Sequence, residues 1–227
     1  MKVTINEKLL HIVDKTDWAA RKIYNPAAVA VESADLAAAD LSGIIVIQHA
    51  PVESLELLVK IIEVRKLKKL DTIYFLVEDV EAAKTFLKSL FKIVKAAGGL
   101  VTKKDKILMI FRLGRWDLPK GKLNRNEKTR DAAEREIEEE CSITVEVHEK
   151  LCTTWHGFVL DGKWALKKTT WYKMKCVNDA FMTPQKEEGI EDIRWMGSEE
   201  LERALQNTYR NVKEVLDTFR QKEKSVL

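Results

Sequence analysis

Residues 121–143 read GKLNRNEKTRDAAEREIEEECSI. Four acids, Glu136, Glu138, Glu139 and Glu140, fall within five positions after Arg135. The second half has helical spacing. Ala132, Ala133, Ile137 and Cys141 are its apolar positions, and Thr129 or Asp131 can cap the start. On a wheel advancing about 100° per residue, Ala133, Ile137 and Cys141 share an arc of roughly 80°. Glu140, Glu136 and Glu139 continue from its edge over roughly another 100°. Ala132 falls inside that acidic arc, where a small side chain leaves room. Three carboxylates therefore gather beside the buried stripe, and Glu138 faces solvent.

Like charges so close repel, and partial desolvation adds to the cost. A hard divalent cation, Mg²⁺ or Mn²⁺, relieves both, because it prefers carboxylate oxygens. The competing account is a solvated helix face with its acids matched by nearby Lys and Arg. The flanks decide. The stretch resembles the Nudix box, G-x5-E-x7-R-E-U-x-E-E-x-G-U, with U a bulky aliphatic residue. Gly121, Glu127, Arg135, Glu136, Ile137, Glu139, Glu140 and Ile143 stand at its positions. Ser142 replaces the late glycine, which serves the turn after the helix and ligates nothing. The lead-in RWDLPKGKL, residues 115–123, is similar to the usual approach to that box.

The resemblance implies hydrolysis of a diphosphate bond in a nucleoside diphosphate derivative. It assigns Glu136, Glu139 and Glu140 as metal ligands. Glu127 binds a further metal, the Lys120 backbone carbonyl joins the shell, and Arg135 orders the carboxylates. Branches of the family draw the general base from different places, including the loop before the last strand. That loop here holds Glu187, Glu188 and Glu191, of which Glu188 is favoured. Arg112, Arg115, Lys120, Lys122, Lys167 and Lys168 surround the box or lie on strands that line its cleft, and cations there suit a polyphosphate. His156 and Trp171 are candidates for contacting phosphate or stacking on a base, with core packing the alternative. Trp195 reads as core. Lead-ins of this kind occur in Nudix enzymes acting on diadenosine polyphosphates and diphosphoinositol polyphosphates. Markers for narrower substrate groups are missing: Phe158 stands where ADP-ribose enzymes carry proline, and residues 159–161 lack the tyrosine of one diadenosine polyphosphate group. A non-catalytic nucleotide sensor using the same cleft is the alternative function.

The chain has 227 residues, 45% of them hydrophobic, enough for one large domain or two small ones. Lys and Arg number 39 against 36 Asp and Glu, a net charge of +3, which argues neither for nor against nucleic acid; nucleic acid is not an expected partner. A small nucleotide is, and a homodimer is left open. Three cysteines, Cys141, Cys152 and Cys176, form no CxxC pair, which suits reduced thiols. No apolar run approaches a membrane span and the first residues carry no signal-like segment, so a cytoplasmic protein without membrane contact is expected.

Before residue 93 the pattern is strand–helix–strand–helix. Residues 2–5 and 9–13 read as a hairpin around Asn6 and Glu7. Residues 44–48 and 72–77 are apolar runs of strand length. A helix is expected from Pro51 to Lys66 with Leu55, Leu58, Val59 and Ile62 inward, and another over 78–91 with Ala82, Phe86 and Leu90 as its stripe. His49 at a strand end reads as structural. Beyond residue 92, strands are expected at 93–103, 107–112, 144–147, 151–160, 167–176 and 193–196. Helices follow from Ser198 and from Asn207, the last with Val212, Val215, Leu216 and Phe219 inward. The expected fold class is α/β: a Nudix α/β/α sandwich with a mixed sheet at 93–227, preceded by a small α/β domain at 1–92.

Overall fold

The computed structural model describes residues 1–20 and 28–225. By contacts the chain divides into two units. The first contains Met1–Ile93 and Trp155–Lys167, and the second Val94–Thr154 and Lys168–Leu227.

In the first unit, β1 (Lys2–Ile5) and β2 (Lys8–Asp14) form the hairpin, and Asn6 and Glu7 both turn through positive φ. That is the conformation a two-residue connection needs to match strand twist. A short helix α1 (Lys15–Ala20) follows, then β3 (Ala28–Glu32), β4 (Gly43–Gln48), α2 (Ser54–Val64), β5 (Leu70–Val77) and α3 (Val80–Ser89). β2, β5, β4 and β3 lie parallel in that order. Parallel strands need both faces covered, which explains the continuous apolar runs in β4 and β5. Leu55, Leu58, Val59 and Ile62 of α2 are buried on Ile45, Ile47, Ile73 and Phe75.

Two helix expectations need correction. Residues 51–53 are not helical, and α2 starts at Ser54. The buried positions of α3 are Ala83 and Leu87; Ala82 is exposed, and Phe86 and Leu90 are half-buried. Asp79 sets that phase. Its carboxylate accepts from the Glu81 and Ala82 N–H groups at 2.9 Å each, so the helix begins there.

The second unit is built on β6 (Lys92–Lys103), β7 (Lys106–Arg112), β8 (Arg115–Asp117) and β9 (Lys120–Lys122), then α4 (Thr129–Cys141), β10 (Thr144–Leu160), β11 (Lys163–Asn178), β12 (Ile190–Met196), α5 (Ser198–Ala204) and α6 (Arg210–Ser225). Its strand order is β12-β7-β6-β11-β10, with β8 on β7 and β9 on β6. Alternation along β7 sorts two cores. Leu108 and Ile110 pack with Ala133, Ile137 and Cys141 of α4. Ile107 and Met109 pack on the other face with Val212, Val215 and Leu216 of α6. This is a sheet between helical layers, the arrangement expected from the sequence.

β10 runs unbroken through His148, Glu149 and Lys150, although that polar run reads as a gap between two strands. Sheet pairing satisfies the backbone whatever the side chains. α4 is capped differently from expectation too. Lys128 is the N-cap and no side chain caps the helix. Among the described residues, no helix is long and apolar enough to cross a membrane.

Candidate active site

Of the four acids at 136–140, α4 presents two inward and two outward. Glu136 is 9% exposed and Glu140 2%, and Ala132 is fully buried one turn before Glu136. Steps of four residues put these three in one row beside the apolar stripe. Glu138 and Glu139 are exposed. The wheel placed Glu136 and Glu140 at the edge of the buried face; in the fold they lie within it.

Arg135 gathers three carboxylates. Its Nε and Nη2 donate to the two oxygens of Glu127 at 2.8 and 2.9 Å. Its Nη1 donates to Glu136 Oε1 at 2.9 Å and Glu139 Oε2 at 2.7 Å. Nη2 also donates to the Lys122 carbonyl at 3.1 Å. The bond to Glu127, with support from Glu136 and Glu139, holds the guanidinium charge more firmly than usual. The same bond, with the Asn124 N–H at 2.7 Å, holds Glu127 below the usual carboxylate range.

Glu140 is the deepest acid. Burial pushes its carboxyl up to about 7, against the pull of Lys120 and Arg112. Its Oε2 accepts the Lys120 backbone N–H at 2.9 Å, and Arg112 Nη1 lies 3.5 Å from Oε1. The other end of Arg112 pairs with Glu188 Oε2 at 3.0 Å. Glu188 sits in a short 3₁₀ turn, Lys186–Glu188, before β12. Burial also raises Glu136.

The turn before the helix is tightly seated. β9 pairs with β6, placing Gly121 opposite Ala97 and Lys120 opposite Gly98. A Cβ on Gly121 would overlap the Glu136 carboxylate, so only glycine lets that acid lie over the strand. Gly99 N–H donates to the Pro119 carbonyl at 3.2 Å. Lys120 Nζ is 2.8 Å from Asp117 Oδ2, both side chains being nearly enclosed. Asp117 was missed in sequence; its one signal is the Asp–Lys spacing of three across Pro119. At the far end of α4, Ser142 is left-handed at φ 54°, ψ 42°, where the box pattern has glycine.

The other expected residues have the following surroundings. Trp171 is fully buried in the core facing α6, and its indole N–H donates to Thr154 at 2.8 Å. It cannot stack on a base there, and that expectation is corrected. Arg115 lies with its guanidinium 5.0 Å from the Tyr209 ring centre. Lys122 meets the cluster through its carbonyl, while its side chain is exposed. Lys168 is half-buried on β11. His156 stands in the first unit, opposite Thr4 of β1. Trp195 is half-buried and donates to Asp179 at 2.9 Å.

Among the described residues, no three His, Cys, Asp or Glu side chains are arranged as a ready-made metal site. The cause is visible: Glu127, Glu136 and Glu139 are turned toward Arg135. The donor set nonetheless suits a hard cation. It offers oxygen donors only, carboxylates and the Lys120 carbonyl, and burial disfavours the charge of two of the acids, Glu136 and Glu140.

The NUDIX domain family model matches residues 92–219. The matched stretch is more than half of the chain, which belongs to the Nudix family. No curated protein sequence matches it. Among solved structures it is similar to a NUDIX hydrolase from Nitrosomonas europaea, at 21% identity and TM-score 0.45 over 55% of this chain and 68% of that one. A second NUDIX hydrolase from the same organism aligns at 14% and 0.49, over 57% and 90%. The Ap4A hydrolase of C. elegans aligns at 24% and 0.45, over 58% and 98%.

Proposed function

We propose that the second unit hydrolyses a diphosphate bond in a nucleoside diphosphate derivative, a dinucleoside polyphosphate being one candidate class, with Mg²⁺ or Mn²⁺ bound. The observation that carries this is the burial of Glu136 and Glu140, 9% and 2% exposed, on one helix row. Burying two neighbouring carboxylates costs several kcal/mol, which packing alone does not return.

Glu136, Glu139, Glu140 and Glu127, with the Lys120 carbonyl, are the groups that would hold the metal. Bound there, it would neutralise phosphate oxygens and acidify a water. Arg135 keeps Glu127, Glu136 and Glu139 converged through four charge-assisted bonds. Such second partners fix ligand orientation. Arg112 offers a planar fork to a phosphate, with Arg115, Lys122 and Lys168 adding cationic charge. Glu188 is the acid that accepts the proton of the attacking water, and half its surface is exposed to receive it. The same proposal divides the chain near residue 92 into a small α/β domain, whose core residues 155–167 complete, and a Nudix domain with C-terminal helices, and takes the substrate to be a small nucleotide in the cytoplasm.

The test incubates the full chain and its Glu139→Gln variant with Mg²⁺ and a panel of diadenosine polyphosphates and other nucleotide derivatives. Mg²⁺-dependent nucleotide release by the wild type, lost in the variant, is expected. No release from any panel member would sink the proposal.

A further inference from the structure

Beside Glu140 lies a second charge pair that the chemistry above does not use. Asp117 is 5% exposed. One of its oxygens accepts the Leu118 N–H at 2.8 Å and the other lies 2.8 Å from Lys120 Nζ. The two residues flank Pro119, so their bond closes a turn. Gly98 and Gly99 hold the outside of that turn. A Cβ on Gly98 would overlap both the Pro119 carbonyl and the Lys120 Cβ, and Gly99 N–H bonds the same carbonyl. From this clamped turn the Lys120 N–H reaches Glu140 Oε2 at 2.9 Å.

Lys120 therefore has two acids within its field, Asp117 and Glu140. Its ammonium cannot leave for water, because the side chain is 12% exposed. It must be matched inside. While Asp117 pairs with it at 2.8 Å, Glu140 accepts the Lys120 backbone N–H, lies 3.5 Å from Arg112, and feels the ammonium through space without being its ion-pair partner. Without Asp117, Glu140 is the other acid acting on that ammonium, and the ammonium would compete with any cation for it.

We propose that Asp117 is a positioning residue for metal loading: it holds the Lys120 ammonium away from Glu140 and keeps that carboxylate available. This rests on the reading of Glu140 as a metal ligand. Asp117 itself touches neither metal nor substrate.

The test is Mn²⁺ binding to the full chain without nucleotide, followed by the loss of the free-ion electron paramagnetic resonance signal, with thermal melting of every variant alongside. Asp117→Asn is expected to weaken Mn²⁺ binding by about 10–100-fold, the usual effect of removing an outer partner of a ligand. The double variant Asp117→Asn, Lys120→Met removes the ammonium together with its counter-charge. It is expected to return to within about threefold of the wild type. Equal binding by Asp117→Asn and wild type overturns the proposal. So does a double variant as weak as the single one, because Asp117 would then not act through Lys120. Should Asp117→Asn fail to fold, the double variant decides alone: wild-type affinity supports the proposal, and a loss of about tenfold or more refutes it. A wild-type chain that takes up no Mn²⁺ defeats the reading of the site and this proposal with it.

Discussion

Replacing Gly121 by alanine puts one methyl group where the Glu136 carboxylate now lies. The backbone cannot retreat, since Gly121 is held opposite the fully buried Ala97 on β6. The carboxylate must swing away and release its 2.9 Å bond from Arg135. An off-rotamer side chain costs about 0.5–1.5 kcal/mol. The lost charged bond, at the edge of the site, costs about 1 kcal/mol more. The sum, about 2 kcal/mol, lowers the melting temperature by roughly 4–8 °C in a chain of this size. Activity should fall much further. Misplacing a reacting or ligating group by about 1 Å costs on the order of 100-fold in rate. The assay pairs thermal melting with Mg²⁺-dependent turnover of whichever panel nucleotide the wild type accepts. Gly43→Ala is the control: φ there is +64° and the added methyl meets nothing within 4 Å, so it strains the backbone in the first unit without touching the cluster. Gly121→Ala that melts lower but keeps turnover within about threefold of wild type would refute the reasoning, because the Glu136 position would then not matter to the reaction.

Gly98→Ala should be worse for folding than Gly121→Ala, because the added Cβ meets backbone atoms of Pro119 and Lys120; urea melts should show a loss of more than about 3 kcal/mol. Ser142→Gly should stabilise the chain by about 0.5 kcal/mol: it relieves the strain at φ 54°, and the greater freedom of glycine in the unfolded chain takes back part of the gain. A lower melting midpoint for that variant would contradict the left-handed cap. Trp171→Phe should cost about 1–3 kcal/mol by leaving buried Thr154 without its donor, and should leave KM for the nucleotide unchanged. His11 should make the first unit acid-sensitive. Burial, then Lys2, lowers its pKa from 6.5 to about 4, so the unfolded chain binds more protons between those values. The stability it contributes is complete above about pH 6.5 and is lost as pH falls toward about 4, on the order of 1 kcal/mol after allowance for its partly exposed ring. Denaturant melts of the wild type and His11→Phe across that range should differ in slope.

The box was legible because its signal is local. A helix with apolar positions at Ala133, Ile137 and Cys141 fixes which way Glu136, Glu139 and Glu140 point to within one side-chain width. How deep they sit is not local: it depends on β9 closing over the row, with Gly121 the residue that permits it. Arg112 and Glu188 were each named, but their pairing joins positions 76 apart and follows from β7 and β12 being neighbours. Trp171 was misjudged for the opposite reason. Alternation along β11 shows that one face is apolar but not which layer covers it, and the layer over Trp171 is α6. The polar run at 148–150 hid the continuity of β10, since strand hydrogen bonding is indifferent to side-chain polarity. Asp117 looked like part of an approach to the box, and only its 2.8 Å partner makes it a candidate for more.

The first unit is discontinuous in sequence, Met1–Ile93 and then Trp155–Lys167. Leu166 is fully buried in its core, and Trp155 and Trp164 pack against it. During synthesis, the strands before residue 93 leave the ribosome with that part of the core still missing. It arrives only after the whole Nudix box has been made. Cutting the gene at residue 92 would therefore leave apolar surface uncovered on the N-terminal piece. A fragment meant to study that unit alone must carry the 155–167 hairpin, grafted or supplied as a peptide.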